Sequence, residues 1–243
     1  MRRFGIVGCG RIGRRLAERA RHVPGWAPAA FLARGGDFDA FLAHRPEIVF
    51  ECASREALAE WGPRLLRAGV DLVPLSLTAF CDRDVERALR DAAEAGPGRI
   101  EIPPGAVGAL DALASAREDE LRSVVYRQIK SPAMWKTTPA GDVGAPGVFL
   151  AGTAREIARR FPHNLNTAVG VALSGLGLDA TRVELIADPD TQATRHEIDV
   201  DAGPGAFSIR VDGRAVGPGG DPVDYSTFGL LRMLRRRTAR VAV

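Results

Sequence analysis

Three glycines near the start of the chain follow the G-x-G-x-x-G spacing, between an apolar run and a helical pattern. In a nucleotide-binding strand–turn–helix, the first glycine permits a tight turn and the second lets a pyrophosphate approach the bare backbone. The third lets the helix pack closely on the strand, and the phosphate lies at the positive helix N-terminus. This pattern predicts a dinucleotide site, with a merely structural tight turn as the alternative. The residues expected to contact the dinucleotide are Gly8, Gly10, Arg11, Ile12 and Gly13.

Arg34 follows the glycines by about twenty residues, where this type of fold usually carries an acid that bonds the adenosine ribose hydroxyls. A guanidinium at this position suits a 2′-phosphate. The residue type therefore favours NADP as an accepted cofactor, with NAD as the other possibility. Arg34 could instead be a solvated loop residue, and Asp37 could still reach the ribose.

One histidine, His196, stands among apolar residues on one face of a predicted strand. Successive side chains of a strand point to opposite faces, so the other face is charged and should be wet. His196 could be a core residue with one hydrogen bond, or it could line a cavity and transfer protons near neutral pH. The residues alone leave both interpretations open. The apolar face comprises Thr194, His196, Ile198 and Val200, and the charged face comprises Arg195, Glu197, Asp199 and Asp201.

The elements that position the glycines are strands alternating with helices over the first hundred residues. Continuous apolar runs are typical of parallel strands that are covered on both faces. The alternation predicts an α/β fold with a Rossmann-type doubly wound parallel sheet, in which ligands bind beyond the carboxyl ends of the strands. Ala53 and Ser76 lie in these ligand loops and are expected to contact the cofactor. Strands are predicted at 26–32, 47–53, 70–77 and 100–102, helices at 38–44, 55–68 and 84–95, and ligand loops at 8–13, 33–37, 52–55, 74–82 and 103–108.

The pattern changes after residue 107, and strands joined by short turns, with helices on one side, predict an α+β domain. We therefore predict a dinucleotide-binding domain of residues 1–107, to which a last helix within 222–243 returns. Residues 108–221 would form an α+β catalytic and dimerisation domain. In this part helices are predicted at 108–117, 152–160, 161–174 and 225–238, a glycine- and proline-rich loop at 131–147, and strands at 123–129, 182–187, 194–201 and 206–212.

Composition argues against several classes of protein. The 243 residues carry a formal net charge of +3 with scattered arginines, so nucleic acid is not an expected partner. No apolar run reaches the ~18–20 residues of a membrane span, and because Arg2 and Arg3 lead into a core strand we expect no signal peptide. Three separated cysteines without a C-x-x-C pair predict neither a disulfide framework nor a metal site. These features predict a cytoplasmic protein.

Several stretches together resemble the L-aspartate dehydrogenase family of nicotinamide enzymes. The likeness spans nearly the whole chain, in order and at compatible spacings. The F-P-x-N-x-N and A-D-P…H segments are more specific than the glycines. The matching stretches are 8–13, 76–82 (S-x-G-A-L-A-D in the family), 102–111 (P-S-G-A-I-G-G-L-D), 152–157 with 161–166 (G-x-A-x-x-A…F-P-x-N-x-N), and 187–189 with 195–198 (A-D-P…x-H-x-I).

The resemblance implies residue roles and a reaction. His196 falls on the family's active-site histidine, while Ala106 and Asn166 fall on its nicotinamide-binding positions; an N-cap is the alternative role of Asn166. The reaction is a reversible, NAD(P)-dependent oxidative deamination of an amino acid through an imine to a keto acid and ammonia. His196 would activate the water or move a proton at the nitrogen. The resemblance also implies a homodimer and an imine product that can feed NAD biosynthesis.

The chain departs from the family pattern at several positions. Pro104 replaces a serine, Thr78 and Ala109 replace glycines, and the cationic N-P-K-T-S loop becomes D-P-V-D-Y at 221–225. A dicarboxylate substrate needs cationic partners, so other cations would have to compensate. From the resemblance we expect an aspartate dehydrogenase. The departures leave two alternatives: a dehydrogenase or imine reductase for another small amino acid, and a non-catalytic NAD(P)-binding sensor. The candidates for compensation are Lys130, Lys136 and Arg127.

Overall fold

A computed structural model of the chain describes residues 1–215 and 225–242. The chain forms two compact units. The first unit comprises Met1–Gly105 with Ser226–Val243, and the second unit comprises Ala106–Tyr225. Within the described ranges, no helix is both long enough and apolar enough to cross a bilayer.

The first unit is built on a four-stranded parallel sheet. Its elements are β1 Arg2–Val7, α1 Arg11–Ala20, β2 Trp26–Leu32, α2 Phe38–Ala43, β3 Ile48–Glu51, α3 Arg55–Arg67, β4 Asp71–Pro74, a 3₁₀ turn at Leu77–Cys81, and α4 Arg83–Ala95. The strand order is β2-β1-β3-β4, and every pairing is parallel. The predicted α/β fold with a parallel sheet is confirmed. Because the strands are parallel, their carboxyl ends, at Val7, Leu32, Glu51 and Pro74, lie along one edge.

The second unit is built on a five-stranded mixed sheet. Its elements are α5 Leu110–Ala116, β5 Leu121–Lys130, α6 Pro132–Lys136, β6 Gly147–Thr153, α7 Ala154–Arg160, α8 Asn166–Ser174, β7 Arg182–Ala187, β8 Arg195–Ala202 and β9 Gly205–Asp212. The strand order is β6-β7-β5-β8-β9, with only β5 and β7 parallel. Helix α8 packs on β5, and α7 packs on β6 and β7. One face of the sheet is therefore covered by helices, and this covered face includes the buried side of β8.

The last helix, α9 Tyr225–Arg236, completes the core of the first unit. Leu230 and Leu234 are fully buried in the cluster that also contains Phe4 and Trp26. The indole N–H of Trp26 donates to the Leu234 carbonyl oxygen at 2.9 Å. Just beyond the helix, Arg237 pairs with Asp71 at 2.8 Å and with Glu101. The first unit is thus assembled from two distant segments of the chain.

Two predicted elements were wrong, and a third, the helix predicted from residue 152, starts later than predicted. Residues 100–102 make a single parallel bridge, Leu72 to Ile100, instead of a strand. Two prolines follow directly, and proline has no N–H to continue a ladder. The loop predicted at 131–147 contains α6, and the helix predicted from residue 152 is preceded by β6. Pairing of β6 with β7 outweighs the loop signal of its flanking glycines.

The sheet of the second unit also differs from the prediction. The last three strands were expected to pair through short turns, but β5 lies between β7 and β8. The charged face of β8 is half-buried instead of wet, because its residues pair with neighbouring strands. Arg127 on β5, for example, donates to Glu184 at 2.8 Å and also contacts Asp199.

Candidate functional site

The glycine turn between β1 and α1 has the shape that a pyrophosphate needs. Gly8 has φ +100°, and a Cβ there would lie 2.8 Å from the Cβ of Ala53. A Cβ on Gly13 would lie 2.7 Å from the Gly8 carbonyl oxygen, so α1 packs directly against the turn. A Cβ on Gly10 would meet no atom within 4 Å. The backbone at Gly10 is therefore open at the start of a ten-residue helix, where anions bind favourably.

A buried carboxylate, Glu51, ties two of the predicted ligand loops together at the end of β3. Its Oε1 accepts from the Ala53 N–H at 2.7 Å and from the Ser76 hydroxyl at 2.9 Å. Its Oε2 accepts from the Ser76 N–H at 2.9 Å. Burial raises the pKa of Glu51, and these hydrogen bonds oppose that rise. The N–H groups of Ala53 and Ser76 are therefore already bonded to Glu51, whereas the Ser76 hydroxyl oxygen can still accept a hydrogen bond.

Arg11, Ile12 and Arg34, which were predicted to contact the cofactor, lie on the same unit as the glycines, whereas Ala106 and Asn166 belong to the second unit. Arg11 and Ile12 are the first two residues of α1. Arg34 is exposed in the turn after β2. The Asp37 carboxylate caps α2, accepting from the N–H groups of residues 39 and 40 at 2.9 and 3.0 Å. Arg34 is thus open to solvent, whereas one carboxylate oxygen of Asp37 already accepts hydrogen bonds from the N-terminus of α2.

A row of polar side chains crosses the covered face of the second sheet. Tyr126, Gln128 and Lys130 alternate along β5, so they share one face. His196 on β8 lies directly opposite Gln128 in the antiparallel register. All four residues are buried, with exposed fractions between 0% and 9%. Buried polar side chains are costly unless they bond to something, so this row is the strongest candidate for a functional site in the second unit.

His196 and Tyr126 form the hydrogen-bonded part of this row. The Tyr126 hydroxyl lies 2.7 Å from His196 Nδ1. Burial, with a smaller contribution from the charge of Lys130, lowers the pKa of His196 to about 4. Burial raises the pKa of Tyr126, so the phenol keeps its proton. His196 is therefore a neutral imidazole at pH 7, and Nε2 is the ring nitrogen that Tyr126 does not occupy.

Lys130 and Gln128 form the part of the row in which one polar group of each side chain has no hydrogen-bond partner among the described residues. Among the described residues, Lys130 makes neither a hydrogen bond nor an ion pair; its Nζ lies 4.9 Å from the ring centroid of Trp135. Burial lowers the pKa of Lys130. The Gln128 Nε2 donates to the Asn164 carbonyl oxygen at 3.3 Å, while Oε1 is buried without a partner in the described part of the chain. One cation and one acceptor are thus available beside His196.

Three further sequence predictions concern Asn166, Ala106 and the altered loop at 221–225. Asn166 is the first residue of α8, and Leu165 occupies the N-cap, so the alternative role of Asn166 as an N-cap was wrong. Ala106 lies half-buried in the turn after Gly105. Residues 221–224 of the altered loop lie outside the described residues, and only Tyr225 is described, as the start of α9.

Sequence reasoning missed Glu51, Tyr126 and Gln128. The signal at Glu51 was a single acid inside the apolar run 48–51, which marks a buried carboxylate that needs donors. Tyr126 and Gln128 flank Arg127 on a predicted strand. Their position beside His196 becomes apparent only from the pairing of β5 with β8. Within the described ranges, no group of three or more His, Cys, Asp or Glu side chains could hold a metal ion.

Comparison with known proteins covers both halves of the chain. Residues 111–232 match the family described as "Aspartate dehydrogenase, C-terminal", and residues 33–103 match "Homoserine dehydrogenase, NAD binding domain". L-aspartate dehydrogenase 1 of Bordetella parapertussis is 42% identical over 224 residues, covering 87% of this chain and 86% of the relative. L-aspartate dehydrogenase of Serratia proteamaculans is 39% identical, covering 83% and 79%.

The solved structures extend this likeness to the fold. Aspartate dehydrogenase from Thermotoga maritima superposes with a TM-score of 0.80 at 22% identity, covering 100% of this chain and 99% of that structure. Fold, glycine turn and relatives together define an oxidoreductase that uses a nicotinamide nucleotide. More narrowly, the chain belongs to the L-aspartate dehydrogenase family.

Proposed function

We propose that this enzyme catalyses the reversible NAD(P)-dependent oxidative deamination of L-aspartate to oxaloacetate and ammonia. The observation that carries the proposal is His196, a neutral imidazole buried beside the Lys130 ammonium group, which has no ion-pair partner among the described residues, in a chain of this family. In the forward direction a hydride leaves Cα and a proton leaves nitrogen, giving an imine. Water then adds to the imine carbon, and the C–N bond breaks to release ammonia.

The shape of the glycine turn supports binding of the cofactor's pyrophosphate to the first unit. The open backbone at Gly10 and the N-terminus of α1 suit a pyrophosphate, with Gly8, Arg11, Ile12 and Gly13 around it. The nicotinamide, when bound, supplies the hydride acceptor or donor. The remaining contacts of this proposal are Ala53, Ser76, Ala106 and Asn166.

NADP is the preferred form in this proposal, and NAD is the alternative. Arg34 supports NADP, because its exposed guanidinium follows the second strand, where a 2′-phosphate would need a cation. The capping role of Asp37 leaves it less free to bind a ribose hydroxyl.

His196 is the group that moves protons in this proposal. Its Nε2 takes a proton from the attacking water and returns one in the reverse direction. For Nε2 to accept that proton, the neutral ring must carry its own proton on Nδ1, which donates to the Tyr126 hydroxyl oxygen 2.7 Å away, and this contact is kept when Nε2 is protonated. Tyr126 thereby fixes the ring orientation, which makes it a positioning residue.

Assembly and location complete the proposal. We expect a homodimer, supported by the open edges of the five-stranded sheet, where Val148 on β6 is 53% exposed. We place the enzyme in the cytoplasm. All three cysteines are free thiols, which is the usual state in a reducing compartment.

The direct test is oxidation of NADPH and of NADH in the presence of oxaloacetate and ammonium. We expect turnover, with a preference for NADPH. His196→Ala should lower kcat by about 100-fold or more, since proton transfer by a positioned side chain typically contributes that much. Cofactor affinity should stay within about threefold of wild type, because the cofactor's pyrophosphate contacts lie in the first unit. His44→Ala, which removes an exposed histidine, serves as the matched control.

The sequence of the 221–225 loop supports an alternative substrate in place of aspartate. The loop 221–225 carries two aspartates where the family has a cationic sequence. A panel of monocarboxylic keto acids tests whether another small amino acid is the true substrate. Tight NADPH binding without turnover of any acid would refute the dehydrogenase and favour a non-catalytic sensor.

A further inference from the structure

The sequence offers three cations of the second unit as candidates for binding an anionic substrate, and these three differ in their surroundings. Arg127 lies on the opposite sheet face from His196 and is neutralised by Glu184 and Asp199. Lys136 is largely exposed and pairs with Asp142 at 3.1 Å. Lys130 is buried on the same face as His196. Of these three cations, Lys130 alone lies on the face of the histidine and has no ion-pair partner in the described part of the chain.

The acid closest to Lys130 along the backbone pairing is bonded elsewhere. The Asp188 N–H donates to the Lys130 carbonyl oxygen at 3.0 Å, which brings the two residues together. The Asp188 carboxylate, however, accepts from the Thr191 hydroxyl at 2.9 Å and from Arg195 at 3.3 Å. The ammonium group is therefore held in a buried place without a counter-ion among the described residues, which is costly unless an anion binds there.

Trp135 holds the lysine in place without neutralising it. Its indole N–H donates to the Ile186 carbonyl oxygen at 2.7 Å, and the side chain is fully buried. The ring is wedged edge-on against Phe149 and Phe161, with centroids 5.1 and 6.3 Å away. A fixed ring face beside Nζ favours the charged form of Lys130 and restricts its rotamers. The ammonium group is thus positioned before any ligand arrives.

Gln128 adds an acceptor next to this cation. The Asn164 carbonyl oxygen can only accept, so it requires the Gln128 NH₂ on its side and turns Oε1 away. That oxygen is buried without a partner among the described residues. Lys130 follows two residues later on the same face, about 7 Å along the strand. A donor and an acceptor at this spacing match a carboxylate and an amino group on one small molecule.

We propose that Lys130 and Gln128 form the subsite that recognises an α-amino dicarboxylate: Lys130 Nζ binds a carboxylate of the substrate, and Gln128 Oε1 accepts from its amino group. This inference rests on the proposed function, because it assigns the groups that hold the substrate beside His196. Lys130 is also one of the three cations that the sequence analysis named as candidates to compensate for the altered 221–225 loop. A bound carboxylate would offset the charge of Lys130, which is one of the two causes that keep the pKa of His196 low.

The test compares Lys130→Met with Lys136→Met. Both changes remove one positive charge and keep an unbranched apolar stem, but only Lys130 faces His196. Lys130→Met should raise the KM for oxaloacetate by about 10- to 100-fold, as expected for the loss of one charge-assisted hydrogen bond. The KM for NADPH should stay within about threefold, a result that a general structural defect would not give. Lys136→Met should behave as wild type.

Equilibrium binding gives a second readout that needs no turnover. Succinate carries two carboxylates and cannot react, and its binding to the NADPH complex can be measured by calorimetry. We expect Lys130→Met to weaken succinate binding by about tenfold or more. Lys130→Gln, which keeps a polar end, provides a second variant if the methionine variant folds poorly. Circular dichroism and NADPH binding check the fold of each variant.

The outcomes separate this inference from the proposed function. Normal wild-type turnover with unchanged oxaloacetate KM and succinate affinity in folded Lys130 variants would overturn the subsite and leave the reaction intact. No turnover by wild type, with succinate binding that still depends on Lys130, would refute the reaction and support the anion subsite. Equal effects of the Lys130 and Lys136 variants would also refute the subsite, because net charge alone would then explain both.

Discussion

His196 and Tyr126 lie almost entirely out of water, and the hydrogen bond between them takes up one nitrogen of the imidazole. Removing an imidazole from water disfavours its charged form, and the ammonium group of Lys130 adds to the same effect. The ring is therefore a neutral proton acceptor at pH 7. The same burial makes His196 a source of pH-dependent stability.

We predict that His196 makes the folded protein less stable as pH falls from 7 to 5. Its pKa is about 4 when folded and 6.5 in the reference state, so the unfolded chain binds more protons between these values. Stability is then fully present above pH 6.5 and lost as pH falls toward 4. The loss between pH 7 and 5 is about 2 kcal/mol. Urea unfolding at both pH values should show this extra loss in wild type compared with His196→Gln.

The glutamine variant is the appropriate comparison for this titration. Its amide can hydrogen-bond to the Tyr126 hydroxyl as donor or acceptor, and every other titrating group is common to both proteins, so their contributions cancel. Equal pH dependence in the two proteins would show that His196 is not buried in the neutral form.

The roles of some single residues could be predicted from the sequence, and the roles of others could not. The roles of Gly8, Gly10 and Gly13 in the turn follow from local spacing, because a turn involves only neighbouring residues. The hydrogen bond between Tyr126 and His196 joins residues 70 positions apart, and the contact of Ser76 with Glu51 spans 25. Such pairs depend on strand order, which periodicity does not contain.

At the scale of elements, α5 begins with a backbone conformation that its sequence does not favour. Ala109 has φ +47° and ψ +21°, the left-handed region, and it occupies the N-cap without a side-chain hydrogen bond. An L-residue there costs about 1 kcal/mol or more, because Cβ crowds the following carbonyl oxygen. Glycine, which stands at this position in the family pattern, avoids that cost.

Ala109→Gly should therefore stabilise the second unit by about 0.5–1 kcal/mol. Ala109 is exposed, so little packing is lost with its methyl group. The matched control is Ala112→Gly, three residues later on the exposed side of the same helix, which should destabilise by about 0.5–1 kcal/mol. Chemical denaturation measures both changes, and two changes of the same sign would contradict the assigned conformation of Ala109.

The elements themselves were predictable where local signals were strong. Apolar runs placed β2 and β7 at their observed bounds, and the alternation along β8 gave its buried face. Strand β6 was missed, although the capping box of Thr153 and Glu156 marks where α7 starts. The spacing of Thr153 and Glu156 in the sequence predicts that the helix starts after residue 153, and thus that residues 147–153 belong to a different element. Nothing local, however, indicates that 147–153 pairs with β7.

At the scale of the whole molecule, the chain closes its first unit with residues from its far end. Helix α9 contributes Leu230 and Leu234 to the same cluster as Phe4 and Trp26, which belong to the first two strands. A return of the last helix could be expected from the sequence. The contacts that fix it, such as the pairing of Arg237 with Asp71, could not, because they join residues 166 positions apart.

This architecture predicts that removing a buried side chain from the last helix destabilises the sheet that holds the glycine turn. Leu234→Ala removes a fully buried side chain and should destabilise the first unit by about 2–5 kcal/mol. Hydrogen exchange should then be faster at the amides of β1 and β3, which open only when the sheet unfolds. Arg235→Ala, an exposed neighbour on the same helix, should leave that exchange unchanged within about 0.5 kcal/mol. Unaltered protection of β1 in Leu234→Ala would mean that the sheet is stable without α9.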